Sequence, residues 1–288
     1  MAHADAFPPP RELALADGGS VTVRTSGPLG ASPPLVLLHG WTVTADLNWG
    51  ASYARLAEHH PIVAFDLRGH GRGRRQPFSL EACADDVVAV ADALGIEAVV
   101  PVGYSMGGLV AQLVWQRHRA RVAGLVLAAT ARNFRGSPMD RAFFNGVTGL
   151  ASLWRLAPGS RRDQALERLI ALRTSTLDEW AAAEVRAGDP RAFLDAGAAI
   201  GRFSSHSWIG EVDVPTAVLV NTADVTVPAA RQHRLAAAVP RARCFEIDGD
   251  HHVCVARPER FVPVLLEACR HVTEPGGAPG LAGGARTA

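Results

Sequence analysis

Between residues 34 and 129 the chain alternates short, continuous apolar runs with longer stretches of helical period, and few folds accept that rhythm. The runs are Pro34–His39 (PLVLLH), Ile62–Asp66, Ala98–Gly103 and Val122–Ala129. A strand that meets solvent on one side alternates polar and apolar residues. A run that is apolar throughout is buried on both faces, as in a parallel sheet covered by helices. Between the runs, Asp46–His59, Leu80–Leu94 and Met106–His118 read as helices, the second with its acids Asp85 and Asp86 on one side and alternating with Val87, Val88 and Val90. Ahead of this block, Glu12–Asp17 and Ser20–Ser26 flank the turn dipeptide Gly18-Gly19 and read as an antiparallel hairpin. The expectation is an α/β fold with a mostly parallel central sheet and helices on both faces.

The rhythm stops near Ala131. From there to Ile209 the pattern is helical throughout, with candidates at Arg141–Leu156, Arg162–Arg173, Leu177–Ala187 and Pro190–Phe203, punctuated by Pro158-Gly159 and Asp189-Pro190. Strand and helix then alternate again: Thr216–Asn221, a helix from Ala229, Arg243–Ile247, and a last helix from Pro258. This divides the chain into a core (1–132), an all-helical cap insertion (133–209), the rest of the core (210–272) and a tail (273–288). The tail is rich in Gly, Pro and Ala and is expected to be disordered.

Composition removes several function classes. Apolar residues make up 48% of the chain, and 29 basic residues against 28 acidic ones leave no basic excess for a nucleic-acid partner. Cys83, Cys244, Cys254 and Cys269 have no CxxC spacing and read as small buried hydrophobes. His252 and Cys254 form an H-x-C pair without a second pair, so neither a metal nor another cofactor is expected. MAHADAFPPP is not a secretory start, and no apolar run is long enough to span a membrane. A cytoplasmic protein without membrane or nucleic-acid partners is the expectation.

Chemistry concentrates at Gly103-Tyr104-Ser105-Met106-Gly107-Gly108, a G-x-S-x-G pattern between a buried run and a helix. Such a strand–turn–helix elbow lifts the serine hydroxyl clear of the sheet. Gly103 and Gly107 let neighbouring segments approach where a Cβ would block them. Met106 opens the helix, so its N–H and the helix dipole face the reaction centre. A serine needs a base. In sheets of this kind bases arrive on loops after the C-terminal ends of late strands, and His251 and His252 follow such a strand through Asp248-Gly249-Asp250. His118, His206 and His233 are assigned to helical stretches instead. Asp224, just past Thr216–Asn221, completes the order Ser105…Asp224…His251.

With these residues the chain resembles the α/β-hydrolase superfamily from about Glu12 to Val272. His39-Gly40-Trp41 resembles the family's HG loop, which implies that Trp41 supplies the second oxyanion-hole N–H beside Met106 and that His39 and Gly40 are structural. Asp66-Leu67-Arg68-Gly69-His70-Gly71 resembles its D-x-R-G-x-G turn, implying that Arg68, Arg72, Arg74 and Arg75 belong to a structural loop. The family's closing proline and aromatic lie seven and ten residues after its base, as Pro258 and Phe261 lie after His251, which favours His251 over His252. Asp250 stands where the family usually has glycine, and Arg257 near where an acid often precedes the proline. The HGW loop with Trp49 and GYSMGG is similar to cofactor-free haloperoxidases, perhydrolases and small esterases.

The activity implied is hydrolysis of a small to medium carboxylic ester by acyl transfer, with a small-molecule carbonyl compound as partner. Lactone, thioester or C–C bond hydrolysis, or perhydrolysis, would use the same residues, and a ligand receptor on this fold is the non-enzymatic alternative. Tyr104, Phe134, Phe143, Phe144, Leu150, Leu153 and Trp154 are the candidate pocket walls.

Overall fold

The computed structural model describes residues 7–30, 32–156 and 178–274. Its centre is an eight-stranded sheet: β1 (Pro10–Ala14), β2 (Ser20–Ser26), β3 (Leu35–Leu38), β4 (Ile62–Phe65), β5 (Val100–Tyr104), β6 (Leu125–Ala128), β7 (Thr216–Asn221) and β8 (Ala242–Ile247). The spatial order is β1-β2-β4-β3-β5-β6-β7-β8. β1 and β2 form the expected hairpin, with Leu13 opposite Val21, and β2 also runs antiparallel to β4; the remaining neighbours are parallel. Because β4 and β5 lie on opposite sides of β3, the strand order reverses between β3 and β5. In open α/β sheets the crevice at the C-terminal strand ends of such a reversal receives ligands. The segments leaving β3 and β5 there are the HGW loop and the Ser105 turn.

The helices that cover the sheet are set by their apolar stripes and N-caps. α1 (Ala45–Ala57) starts where the Thr44 hydroxyl accepts from the Leu47 N–H at 3.2 Å, and it buries Trp49, Tyr53 and Leu56 completely. α2 (Leu80–Ala93) starts at Ser79, whose hydroxyl accepts from Ala82 N–H at 3.0 Å, and buries Cys83, Val87 and Val90. α2 packs on one face with α3 (Met106–Arg117) and α7 (Ala229–Ala236). α1, the short α8 (Val253–Ala256) and α9 (Pro258–Thr273) cover the other.

Between β6 and β7 the described residues form α4 (Pro138–Leu156), α5 (Glu179–Arg186) and α6 (Pro190–Arg202). α4 crosses α6 closely because Gly201 faces Phe144, where an added Cβ would meet that of Phe144 at 2.7 Å. The insertion is tied to the core at several points. Asp189 N–H donates to Gly69 O at 2.6 Å, Trp41 Nε1 to Phe193 O at 2.9 Å, and the Thr44 hydroxyl to Glu184 at 3.0 Å.

Most sequence-derived bounds differ from these by one to three residues, the usual uncertainty at element ends. Some expectations need correction. Val122 makes only an isolated bridge to Val99, so β6 begins at Leu125. α8 went unforeseen, being a single turn too short for a periodic signal. His118 ends α3 and His206 lies outside any helix, whereas His233 is helical as expected. Asp85 and Asp86 do not share one environment: Asp86 is 3% exposed, and its charge is met by Arg68 at 2.5 and 2.8 Å and Arg74 at 2.6 Å. Burying a carboxylate demands such partners. Cys244 is exposed, unlike the other three cysteines, because it lies on the edge strand β8. The expected helix Arg162–Arg173 and the tail fall outside the described residues. Among the described residues no helix is long and apolar enough to cross a membrane.

Candidate active site

The turn after β5 holds Ser105 at φ 52°, ψ −113°, a left-handed conformation that a residue with a Cβ adopts only when its surroundings impose it. The surroundings do. Ser105 N–H donates to Ala128 O at 2.9 Å, and its carbonyl accepts from the Thr130 hydroxyl at 2.8 Å. A Cβ on Gly103 would collide with the Gly107 carbonyl oxygen, and one on Gly107 would collide with the Leu38 carbonyl oxygen. Glycine is therefore a steric requirement at both positions.

The loops after β7 and β8 bring two more side chains to this turn. His251 Nε2 lies 3.1 Å from Ser105 Oγ, and its Nδ1 lies 2.7 Å from Asp224 Oδ2. The Asp224 side chain is fully buried, and its Oδ1 accepts from the N–H groups of Thr226 and Val227, both at 2.8 Å. An ionised carboxylate only accepts, so Nδ1 carries the proton and Nε2 presents its lone pair to the serine hydroxyl. An imidazole oriented in this way can take a proton from a serine hydroxyl and so make it nucleophilic.

Two supporting residues were not singled out from the sequence, and a third takes a role other than the one expected. Gln232, on α7, donates to Asp224 Oδ2 at 3.2 Å and to Val227 O at 2.6 Å, while its Oε1 accepts from Asn221 N–H at 3.1 Å. Asn221 Nδ2 donates to Tyr104 Oη at 2.9 Å and to Asp250 O at 3.0 Å. The Tyr104 hydroxyl in turn donates to His251 O at 2.9 Å. Asn221 carried a legible signal: it is the polar side chain that ends the strand TAVLVN. Gln232 carried none, since a glutamine in a surface-type helix is unremarkable before folding.

The loop after β3 lies directly over Ser105. A Cβ on Gly40 would be 3.7 Å from that of Ser105. Gly40 N–H is engaged by Asn48 Oδ1 at 2.9 Å, whereas the N–H groups of Trp41 and Met106 have no partner among the described residues. His39 is fully buried beneath the loop. Its Nε2 accepts from Leu67 N–H at 2.8 Å, so its Nδ1 carries the proton and donates to Gly40 O at 2.7 Å. Burial lowers its pKa to about 4, which keeps it in that neutral form. The arginine cluster is taken up by the neighbouring turn: Arg68 and Arg74 pair with Asp86, Arg72 with Glu184, and Arg75 with the carbonyls of Gly71 and Ala187.

The Alpha/beta hydrolase family matches residues 35–264. The chain belongs to that family. It is 31% identical over 236 residues to a pimeloyl-[acyl-carrier protein] methyl ester esterase from Xanthomonas campestris pv. campestris, covering 78% of this chain and 89% of the relative. A protein of the same name from Chromobacterium violaceum is 29% identical over 255 residues, covering 83% and 95%. Among solved structures, the enol-lactonase from Burkholderia xenovorans superposes with a TM-score of 0.71 at 24% identity, covering 90% of this chain and 99% of that one. That last likeness is one of fold.

Within this α/β-hydrolase frame the expected pocket walls separate. Tyr104 is corrected: its ring is buried in the core, edge-on to Trp49 at 6.1 Å and Phe261 at 5.7 Å and with its centroid 5.7 Å from that of the His251 ring, so it supports the base from within the fold. Phe134 and Phe144 are buried with α6 residues in the core that also holds α2, α3 and the sheet, and Trp154 packs beside Leu194 and Ala198. Leu150 and Leu153 are exposed. Phe143, 54% exposed, stands edge-on to the Trp41 ring of the HGW loop at 6.5 Å. Among the described residues no group of three or more His, Cys, Asp or Glu is placed to hold a metal.

Proposed function

We propose that this α/β-hydrolase cleaves a small to medium carboxylic ester by two-step acyl transfer, with Ser105 as nucleophile, His251 as base and Asp224 as the orienting acid. The observation that carries the reading is the continuous relay from Ser105 Oγ to His251 at 3.1 Å and on to Asp224 at 2.7 Å. Ser105 attacks the carbonyl carbon as His251 takes its proton, and Asp224 stabilises the imidazolium so formed. The oxyanion is met by the Trp41 and Met106 N–H groups, each worth about 3 kcal/mol in the transition state. His251 then returns the proton to the departing alcohol, and water, activated by the same imidazole, releases the acid. Helices α4, α5 and α6 act as a cap that limits the size of the ester. The methyl ester esterases named above support the ester class over a thioester or a C–C bond, since their substrates are carboxylic esters by name.

The test is labelling with a fluorophosphonate followed by mass analysis of the intact chain and its peptides. One adduct, on Ser105, with loss of ester hydrolysis in Ser105→Ala, is the expected result. An adduct on another serine, or none, refutes the assignment. A panel of esters, lactones and thioesters of graded chain length then assigns the substrate class.

A further inference from the structure

At the root of the helical insertion lies a cavity of about 290 Å³, close to the lower end of small-molecule sites, roughly 300 Å³ upward. Its wall is formed by Arg132, Asn133, Gly136, His206, Arg231 and Arg234. These residues come from three places: the segment entering the insertion, the segment leaving it, and α7. Asn133 and Ser204 bridge the entering and leaving segments, so the wall spans both connections of the insertion.

The charges of this wall do not balance. Arg231 is 8% exposed, and its only carboxylate among the described residues is Asp140 at 3.1 Å, an oxygen already shared with Ser137 N–H at 2.9 Å. Its other contacts are neutral, to the carbonyl and the side-chain oxygen of Asn133. Buried Arg74 and the partly buried Arg24 and Arg68, by contrast, meet carboxylates at 2.5 to 2.7 Å. Burial, reinforced by the nearby Arg234, holds the Arg231 pKa below the usual arginine value. Neither Arg132 nor Arg234 pairs with a carboxylate among the described residues. His206 is held toward the same space by Asn133 Nδ2 at 3.2 Å and the Ser204 hydroxyl at 3.1 Å. Three guanidinium groups thus line one wall, and of them Arg231 alone meets a carboxylate among the described residues. Gly136 completes the shape, since a Cβ there would meet the Arg231 guanidinium carbon at 2.9 Å.

We propose that this cavity is an anion-binding site, taking one carboxylate or phosphate group of a small ligand between Arg132, Arg231 and Arg234. Planar guanidinium groups pair with both anions through two parallel N–H bonds, and a group supplied there completes the pairing that Asp140 leaves unfinished. The site borders the one described above. Ala131, also in the cavity wall, follows Thr130, whose hydroxyl bonds Ser105 O. Arg231 N–H donates to Pro228 O at 2.7 Å, one residue beyond the Val227 N–H that holds Asp224. An anion here is therefore either a second charged group of the substrate or a free effector bound at the root of the insertion.

Titration of the whole chain with inorganic phosphate at constant ionic strength, followed by calorimetry and thermal unfolding, tests the site without using catalysis. Saturable binding is expected, weakened about tenfold or more in the Arg132→Ala/Arg234→Ala double variant, the effect of losing charge-assisted hydrogen bonds. Both side chains lie apart from the triad, and the thermal midpoint of the variant without phosphate reports that it folds. Absence of saturable binding, or equal binding by the double variant, overturns the proposal. A matched pair of esters, one with a distal carboxylate and one neutral, identifies the source of the anion. If the double variant raises KM for the charged ester alone, the group belongs to the substrate. If phosphate binding falls while both KM values hold, it belongs to an effector. Binding lost in the variant stands as support even if Ser105 proves not to be the nucleophile.

Discussion

The phenolic hydroxyl of Tyr104 donates to the carbonyl oxygen of His251 at 2.9 Å, so the residue preceding the candidate nucleophile holds the main chain of its candidate base. The same hydroxyl oxygen accepts from Asn221 Nδ2, which also grips Asp250 O. Gln232 links Asn221 N–H to Asp224. All three members of the relay are thereby fixed to the ends of β5 and β7 through one buried polar cluster. Cutting one bond of such a cluster leaves its partners unsatisfied, at about 1–3 kcal/mol each.

Tyr104→Phe keeps the ring among Trp49 and Phe261 and removes only the hydroxyl's bonds. We expect kcat to fall about tenfold to a hundredfold with KM little changed, because a loosened His251 affects proton transfer rather than substrate binding. Asn221→Ala should do the same and also lower the thermal midpoint. Steady-state kinetics on both variants decide it: unchanged kcat in Tyr104→Phe would mean the histidine loop holds itself.

The polar cluster also shows where legibility in the sequence ends. Buried strands, the elbow and the order Ser105…Asp224…His251 could be read because each rests on local pattern: an apolar run, a glycine spacing, a polar turn after a strand. Tyr104 has no such pattern. An aromatic residue at a strand end fits a pocket wall or a core equally well, and only the packing of α1 and α9 on the sheet encloses it among Trp49 and Phe261. The burial of Asp86 is illegible for the same reason, since the arginines that neutralise it come from a turn whose position depends on the whole sheet.

His251 and His252 are adjacent, yet only the first reaches the serine. His251 Nε2 is 3.1 Å from Ser105 Oγ, while the exposed His252 ring sits 6.1 Å from that of His251, perpendicular to it. His251→Ala is expected to lower kcat by a factor on the order of 10⁴ or more, and His252→Ala to keep most activity. Reversed behaviour of the two variants would require the site to be redrawn.

Gly107→Ala should fail to accumulate as folded protein. The added Cβ would collide with a backbone oxygen at the end of β3, and neither strand nor elbow can retreat without breaking the sheet pairing at Leu38 and Gly103. Gly146→Ala is the control, because nothing lies within 4 Å of a Cβ built there. Comparison of soluble yield and circular dichroism for the two variants checks this, and a folded, active Gly107→Ala contradicts it.

Exhaustive dialysis against a strong chelator should leave hydrolysis unchanged, since the proposed mechanism draws its nucleophile and its oxyanion donors from the chain itself. Loss of activity that zinc restores would show that the mechanism is wrong.

Acid should weaken the fold through His39 and His70. Both are fully buried, with ring centroids 5.1 Å apart. Protonating His39 Nε2 would break its bond from Leu67 N–H. Burial lowers the His39 pKa to about 4, and burial together with His39 lowers that of His70 to about 3, from 6.5 for a free imidazole. The unfolded chain therefore takes up both protons near pH 6.5, while the folded chain refuses them until about pH 4 and 3. Where the unfolded state binds more protons, stability rises with pH. Stability is thus lost as pH falls from 6.5 toward 4, by up to about 1.4 kcal/mol per pH unit for each histidine. Asp66, whose pKa burial raises, acts in the opposite sense at the acid end, so the comparison is best made between pH 7 and pH 5. Urea unfolding at those two values should show a loss on the order of 3–4 kcal/mol for the two histidines together. In His70→Phe, which keeps a ring beside Phe78 and Phe193, that loss should shrink by about half. An equal pH dependence in the variant and the parent would mean that His70 does not stay neutral in the folded chain.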